Sequence, residues 1–203
     1  MTSLSLLRAV APPTRWGGLP VLLGALLGWG RATSAQVVDN DPVFTVYGME
    51  AGLSQSSVYA LLQDRTGFLW IGTQDGLNRF DGVDFRPFKH VRDDSTSLSD
   101  DLIRSLALNV DGRIWVGTER GGLNLFDPRT GEAVRHPLEE LGPWRTYAGP
   151  SETPRTGRTV GDIALLPDRT LLLSTDAGLA RFLPSTREVI PLPVPEAGPG
   201  PAP

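Results

Sequence analysis

The 203-residue sequence contains no cysteine, which excludes disulfides, thiolate metal sites and thiol nucleophiles. It has a single lysine, Lys89, and a net charge of −4, so no basic patch can neutralise several phosphates, and nucleic acid is not an expected partner. Imidazole is nearly as scarce: His90 and His136 are the only two, a thin supply for a histidine-rich zinc site or a serine triad. Long hydrophobic runs are also missing, since the apolar stretch from Leu19 to Trp29 covers 11 residues and is too short to cross roughly 30 Å of hydrocarbon as a helix. Glycine (23) and proline (18) are plentiful, a turn-rich composition that, with 40% hydrophobic residues, still supplies a core of ordinary domain size.

Arg8 and Arg15 precede that apolar stretch, and Thr33, Ser34 and Ala35 follow it with the small residues a signal peptidase reads. Residues 1–35 are therefore expected to be a cleaved export signal and Gln36 the mature start, giving a periplasmic protein. Losing Arg8, Arg15 and Arg31 takes the net charge from −4 to −7, which suits a soluble exported chain.

The remainder repeats itself. Leu53, Val58, Gly67, Trp70, Gly72 and Thr73 match Leu98, Ile103, Gly112, Trp115, Gly117 and Thr118 at an offset of 45. After one inserted glycine, Leu77, Asn78, Phe80 and Asp81 match Leu123, Asn124, Phe126 and Asp127 at 46. A degraded third copy has Leu172 in place of the tryptophan, and there Leu165 to Thr170 echoes Leu61 to Thr66, pairing Asp168 with Asp64. The copies span 53–97, 98–141 and 160–190. Each reads as four short strands broken by turn residues; in the first copy these are Val58 to Gln63, Phe68 to Gly72, Leu77 to Phe80 and Phe85 to His90. Four-stranded antiparallel meanders repeating at this length predict an all-β fold of β-propeller blades.

The stretches LSQSSVYALLQDRTGFLWIGTQDGLNRFDG and SLSDDLIRSLALNVDGRIWVGTERGGLNLFD closely resemble the two-component regulator propeller repeat, through the D-x-x-G turn, the W-I-G-T or W-V-G-T strand and the G-L-N-x-F-D continuation. The resemblance covers about residues 43 to 190 and implies a periplasmic sensing region of many blades. In that family an immunoglobulin-like domain, a membrane span and a histidine kinase or diguanylate cyclase usually follow. Residues 36–190 hold about three blades, whereas a closed propeller takes roughly four to eight, so the expected ring is incomplete. The tail 191–203 has six prolines and reads as disordered or as the end of a truncated frame. The output kinase or cyclase, and any link to the membrane, would lie in regions C-terminal to these repeats.

Recurrence also decides how single residues are read. Trp70 and Trp115 sit at one repeat position inside apolar strands and are expected to pack between blades. Asp64, Asn109 and Asp168, next to Gly67 and Gly112, are expected to cap hairpin turns rather than to act as acids or bases, and Gly72 and Gly117 are fixed repeat positions. His90 and His136, 46 apart, are expected to share a structural role. Asp93, Asp94, Asp100 and Asp101 lack the ligand alternation of a calcium loop, and Gly117 to Gly122 lacks the ending of a phosphate loop, so neither metal nor cofactor is expected. The segment Leu141 to Thr159 breaks the repeat, and its Trp144, Arg145 and Tyr147 are candidate contacts for an unknown small molecule or oligosaccharide. Two other functions compete with sensing. One is a free exported scaffold that self-associates through open blade flanks such as Phe44 to Tyr47 and Leu171 to Leu173. The other is a quinoprotein-like enzyme, which Asp127 to Glu132 resembles in its D-x-x-T-G-E run but not in the residues that follow.

Overall fold

The computed structural model describes residues 44–141 and 156–193. The expected export signal, the loop residues Trp144, Arg145 and Tyr147, and residues 194–203 of the proline-rich tail lie outside the described residues.

Within Phe44–Pro203, three four-stranded antiparallel sheets follow one another. The first holds β1 (Val58–Gln63), β2 (Leu69–Thr73), β3 (Gly76–Phe80) and β4 (Phe85–Phe88). The second holds β5 (Ile103–Leu108), β6 (Ile114–Thr118), β7 (Leu123–Phe126) and β8 (Ala133–His136). In the third are β9 (Val160–Leu165), β10 (Leu171–Thr175), β11 (Gly178–Leu183) and β12 (Glu188–Pro191). Each sheet is a meander of neighbours in chain order, because turns of a few residues permit only antiparallel pairing. One 3-10 turn, Met49–Ala51, and a single helical turn, α1 (Leu138–Leu141), are the helical elements among the described residues. The innermost strands β1, β5 and β9 lie side by side from blade to blade.

The cores lie between sheets, not inside them. Successive residues of a strand face opposite sides, so each blade presents one apolar face to each neighbour. Trp70 packs edge-on to Phe126 (5.5 Å between ring centroids) in a core with Leu77, Ile103, Ile114 and Val116. Trp115 repeats this against Phe182 (5.9 Å) in a core with Leu123, Leu171, Leu173 and Ala180. The two indoles are 0% and 1% exposed. Strand Leu171–Thr175 therefore buries Leu171 and Leu173, which corrects the expectation that the whole run is an open flank; only Leu172 points outward, joined by the exposed Leu179 and Ile190. On the opposite flank Phe44 and Val46 are exposed, while Tyr47 covers Phe80 at 4.9 Å.

Gly72 and Gly117 stand where the next blade's inner strand comes closest. A Cβ on Gly72 would lie 2.7 Å from Ile103 Cγ2, and one on Gly117 would lie 2.7 Å from the Val160 carbonyl and collide with Ser105 Oγ. Gly117→Ala is expected to destabilise the fold by about 1–3 kcal/mol, because backbone cannot move aside as a side-chain tip can. Urea unfolding of the variant beside the parent checks this, and an unchanged midpoint would contradict the close approach.

Strand pairing corrects the equivalence of the two histidines. Leu77 faces Phe88 and Leu123 faces His136, so His136 takes the place of Phe88, and His90 lies beyond its strand. The cause is turn length: four residues separate the paired Phe80 and Phe85, whereas six separate Phe126 and Ala133. His136 is buried on Trp115 (5.7 Å), much as Phe88 lies on Trp70 (5.8 Å), whereas the exposed His90 holds the Leu98 carbonyl through Nδ1 (2.8 Å).

The third copy is also displaced by two residues from its expected alignment. The turn bonds Gly67 N to Asp64 O and Gly112 N to Asn109 O are matched by Arg169 N to Leu166 O. Asp168 thus corresponds to Asp111, not to Asp64, and Arg169 occupies the glycine position with φ +66°.

Candidate functional site: two clefts between blades

A buried polar network fixes the blades before any site is formed. Asn78 accepts from Ser54 N (3.1 Å) and donates to Ser54 Oγ (2.8 Å), which in turn meets Thr73 Oγ1 (3.0 Å). Ser99, Asn124 and Thr118 reproduce it at 3.1, 2.8 and 3.4 Å. Thr73 and Thr118 also donate to the carbonyls of Gly76 and Gly122, both at 2.9 Å, tying strand two to strand three. Satisfied bonds of this kind make a buried amide tolerable in an apolar setting. The recurring Leu-Ser and Gly-Leu-Asn pairs carried this signal in the sequence, without showing that they meet.

Beside the inner strands, Tyr59 and Arg104 occupy equivalent positions. The Arg104 guanidinium stacks over Tyr59 at 5.0 Å and pairs with Glu119 at 2.5 Å, a hydrogen bond that raises the arginine's pKa further. The crowded carboxylates of the first linker are likewise engaged: Asp94 takes Thr96 N (2.8 Å), Asp100 takes Arg120 N (2.9 Å) and Asp101 takes His90 N (2.7 Å). Arg135 clamps the same linker through the carbonyls of Asp94 and Ser97.

Two clefts open between blades at equivalent places. The first, of about 390 Å³, lies between blades one and two and is lined by Asp64, Trp70, Arg79, Arg86, Arg113 and Asp127 among others. Its indole donor and its carboxylates are engaged within it. Asp64 Oδ1 accepts Thr66 N (2.9 Å) and Phe68 N (3.1 Å), and Oδ2 accepts the Trp70 indole N–H (2.8 Å). Partial burial pushes the Asp64 carboxyl up, but the bonds from Thr66, Trp70 and Phe68 outweigh it and hold the group below the usual carboxylate range. Arg113 pairs with Asp111 (2.7 Å) and Arg129 with Asp127 (3.0 Å), while Arg79 lies over Phe68 (4.6 Å).

The second cleft, of about 450 Å³, lies between blades two and three and is built differently. Asn109 does not cap its turn as Asp64 does: its Nδ2 donates to Asp111 (2.8 Å), and Asp111 accepts Arg113 N in the capping role (3.1 Å). The Trp115 indole N–H is consequently buried without a hydrogen-bond partner. His136 lies beside it, and burial, with the nearby Arg187 adding to it, lowers its pKa to about 4, so the ring is neutral at pH 7. Asp168 accepts from Thr170 N (3.1 Å) and pairs with Arg181.

Repeating meanders, with a tryptophan facing the next blade and a buried Ser-Asn-Thr network, are the setting in which known proteins become informative. A family profile described as two component regulator propeller matches residues 52–75 and 97–120. In these two stretches the chain is similar to two-component regulator propeller repeats. Over 68 residues it is 46% identical to Histidine kinase P4 of Formosa agariphila, a match covering 34% of this chain and 5% of that protein. Among solved structures, the extracellular domain assigned to the hybrid two component system BT3049 of B. thetaiotaomicron is 25% identical, with a TM-score of 0.58, over 73% of this chain and 20% of that one. The corresponding domain of BT4673 from the same organism is 20% identical with a TM-score of 0.55, over 74% and 18% of the two chains, and shows the shared fold. The repeat chain thus spans a small part of each of these relatives. No helix among the described residues is long and apolar enough to cross a membrane.

Proposed function

We propose that this propeller chain is an extracytoplasmic ligand-sensing segment of a two-component signalling receptor. It is delivered to the periplasm by cleavage of residues 1–35, and it binds without catalysing. The observation that carries the reading is the pair of matched repeats at 52–75 and 97–120, set in blades like those of extracellular receptor domains. Trp144, Arg145 and Tyr147, between α1 and β9, are proposed ligand contacts on the strength of their residue types and the long insertion that carries them. Kinase or cyclase output belongs, on this reading, to other parts of the receptor.

Expression with a C-terminal alkaline phosphatase reporter tests the export step. Periplasmic activity and a mature mass beginning at Gln36 are expected, and a cytoplasmic product retaining residues 1–35 would overturn it. A thermal-shift screen of the exported chain against small molecules and oligosaccharides tests sensing, with a saturable upward shift expected. A second reading, an exported self-associating scaffold, draws on the outward-facing Leu61, Leu179 and Ile190. Sedimentation separates the two, since concentration-dependent association that no ligand alters would favour the scaffold.

A further inference from the structure

The three blades act as internal controls for one another, and the second cleft departs from the repeat in three ways that converge on the same space. First, the Trp115 N–H has lost the acceptor that Asp64 supplies to Trp70. Second, Arg169 stands where the earlier copies have Gly67 and Gly112, at φ +96° and +87°. Third, Arg187 stands where the second copy has Gly131: Arg187 N bonds Leu183 O (2.8 Å) as Gly131 N bonds Asp127 O (2.9 Å). Arg169 and Arg187 hold φ of +66° and +59°, the left-handed region that glycine enters freely and a side chain with a Cβ enters at a cost.

Both arginines line the second cleft, and among the described residues neither guanidinium has an ion-pair partner. Asp168, the one carboxylate in the lining, is already held by Arg181. The cleft therefore combines two uncompensated cations on strained turns with an unpartnered indole donor on its inner wall. Strain retained at two turns that flank one cavity points to a role for the side chains that cause it. We propose that the cleft between blades two and three is a binding site for a small carboxylate-bearing ligand of about monosaccharide size. Arg169 and Arg187 hold the carboxylate, and the Trp115 indole N–H is the inner donor that the ligand satisfies. The cavity of about 450 Å³ admits a body of that size. Asn109, Thr170 and Ser185 line the same space and supply polar contacts for ligand hydroxyls. The first cleft is not expected to take the same ligand, since its indole N–H is already held by Asp64 and no left-handed arginine turn flanks it.

This inference rests on the sensing reading and specifies one of its sites, but its test does not depend on signalling. The whole chain, labelled with ¹⁵N, is titrated with D-galacturonate and, separately, with the neutral isostere D-galactose. The indole N–H resonances of Trp115 and Trp70 are assigned from Trp115→Phe and Trp70→Phe. The expected result is a saturable downfield shift of the Trp115 resonance with galacturonate, no matching shift with galactose, and a stationary Trp70 resonance. Arg169→Gly with Arg187→Gly should weaken binding at least tenfold while leaving the unfolding midpoint unchanged or higher, because glycine suits both turns. Arg169→Asn with Arg187→Asn, which tolerates the same backbone, should weaken it equally. Equal shifts with both sugars, no saturable shift with galacturonate, or parent-like binding by the arginine variants would each overturn the proposal. A stabilising ligand found in the thermal-shift screen that leaves the Trp115 resonance unmoved would sink this site and keep the sensing reading, whereas failure of export or of every ligand in that screen would count against the sensing reading itself.

Discussion

Replacing Trp70 by alanine is expected to lower stability by about 3–5 kcal/mol, the range for emptying an aromatic-sized space in a core. Trp70 is fully buried, and it touches Phe88 in its own blade and Phe126 in the next. Its loss would therefore loosen a seam between two sheets as well as one sheet. Trp115→Ala should cost a similar amount, since its surroundings are built alike. The phenylalanine variants separate the two sites. Trp70→Phe also strips Asp64 of its indole donor and should cost about 1 kcal/mol more than Trp115→Phe, which removes an N–H that had no partner. Equilibrium denaturation of the four variants checks the pattern, and a cost below about 1 kcal/mol for either alanine variant would contradict burial of the ring.

The second large effect is a loss of stability between pH 6.5 and about 4, and its source is His136. Burial, aided by the positive charge of Arg187, depresses its pKa from 6.5 to about 4 in the folded chain. A depressed histidine favours folding fully above the unfolded value and loses that contribution as the pH falls toward the folded one, because the unfolded chain binds the proton first. A displacement of this size is worth about 2–3 kcal/mol once the solvent in the neighbouring cleft is allowed for. The turn carboxylates act lower. Asp94, Asp127 and Asp168, held below the ordinary value of 3.8 chiefly by bonds from Thr96, Arg129 and Thr170, give up their contributions only as the pH drops through the acid range beneath it. His136→Phe, which installs the residue found at the matching place in the first blade, should flatten the upper window and leave the acid limb intact. Urea midpoints measured from pH 7.5 down to 3 test this, and an unaltered slope between 6.5 and 4 would remove His136 as the cause.

Much of the architecture was legible because it is local and repeated. The offset of 45 exposed the tryptophans, the turn glycines and the strands of the first two blades, and the weaker third copy suggested four more, since each blade is made by short hairpins whose residues lie close together in the chain. What could not be read depends on pairing. Either of two turn positions can cap the same hairpin, as Asp64 does in one copy and Asp111 in the next, so a lone aspartate in the weak third copy could not fix its own alignment. Identity pairs His136 with His90, yet two extra residues between β7 and β8 move every later residue of that blade and put His136 on an indole. The Ser54–Asn78–Thr73 network was visible as a motif and not as a network, because its members are up to 24 residues apart and meet only when the segment before β1 reaches across the meander. The second cleft was hidden for the same reason. Its distinctive feature is a bond that is not made, and only the pairing of turn residues shows which acceptor is absent.

That each indole belongs to the core shared with the following blade also bears on how such chains grow. A tandem duplication of one 45-residue unit copies a knob on one side and its matching socket on the other, so every new junction is complementary without further mutation. Selection can then act on single units while the array stays intact, and the third unit has the marks of such drift. Its Leu172 replaces the knob and Arg169 replaces a turn glycine, whereas its inward-facing Leu171, Leu173 and Phe182 still form the socket that the second unit requires. Divergence in this lineage is thus expected to concentrate on the leading face of each unit and to spare the trailing one.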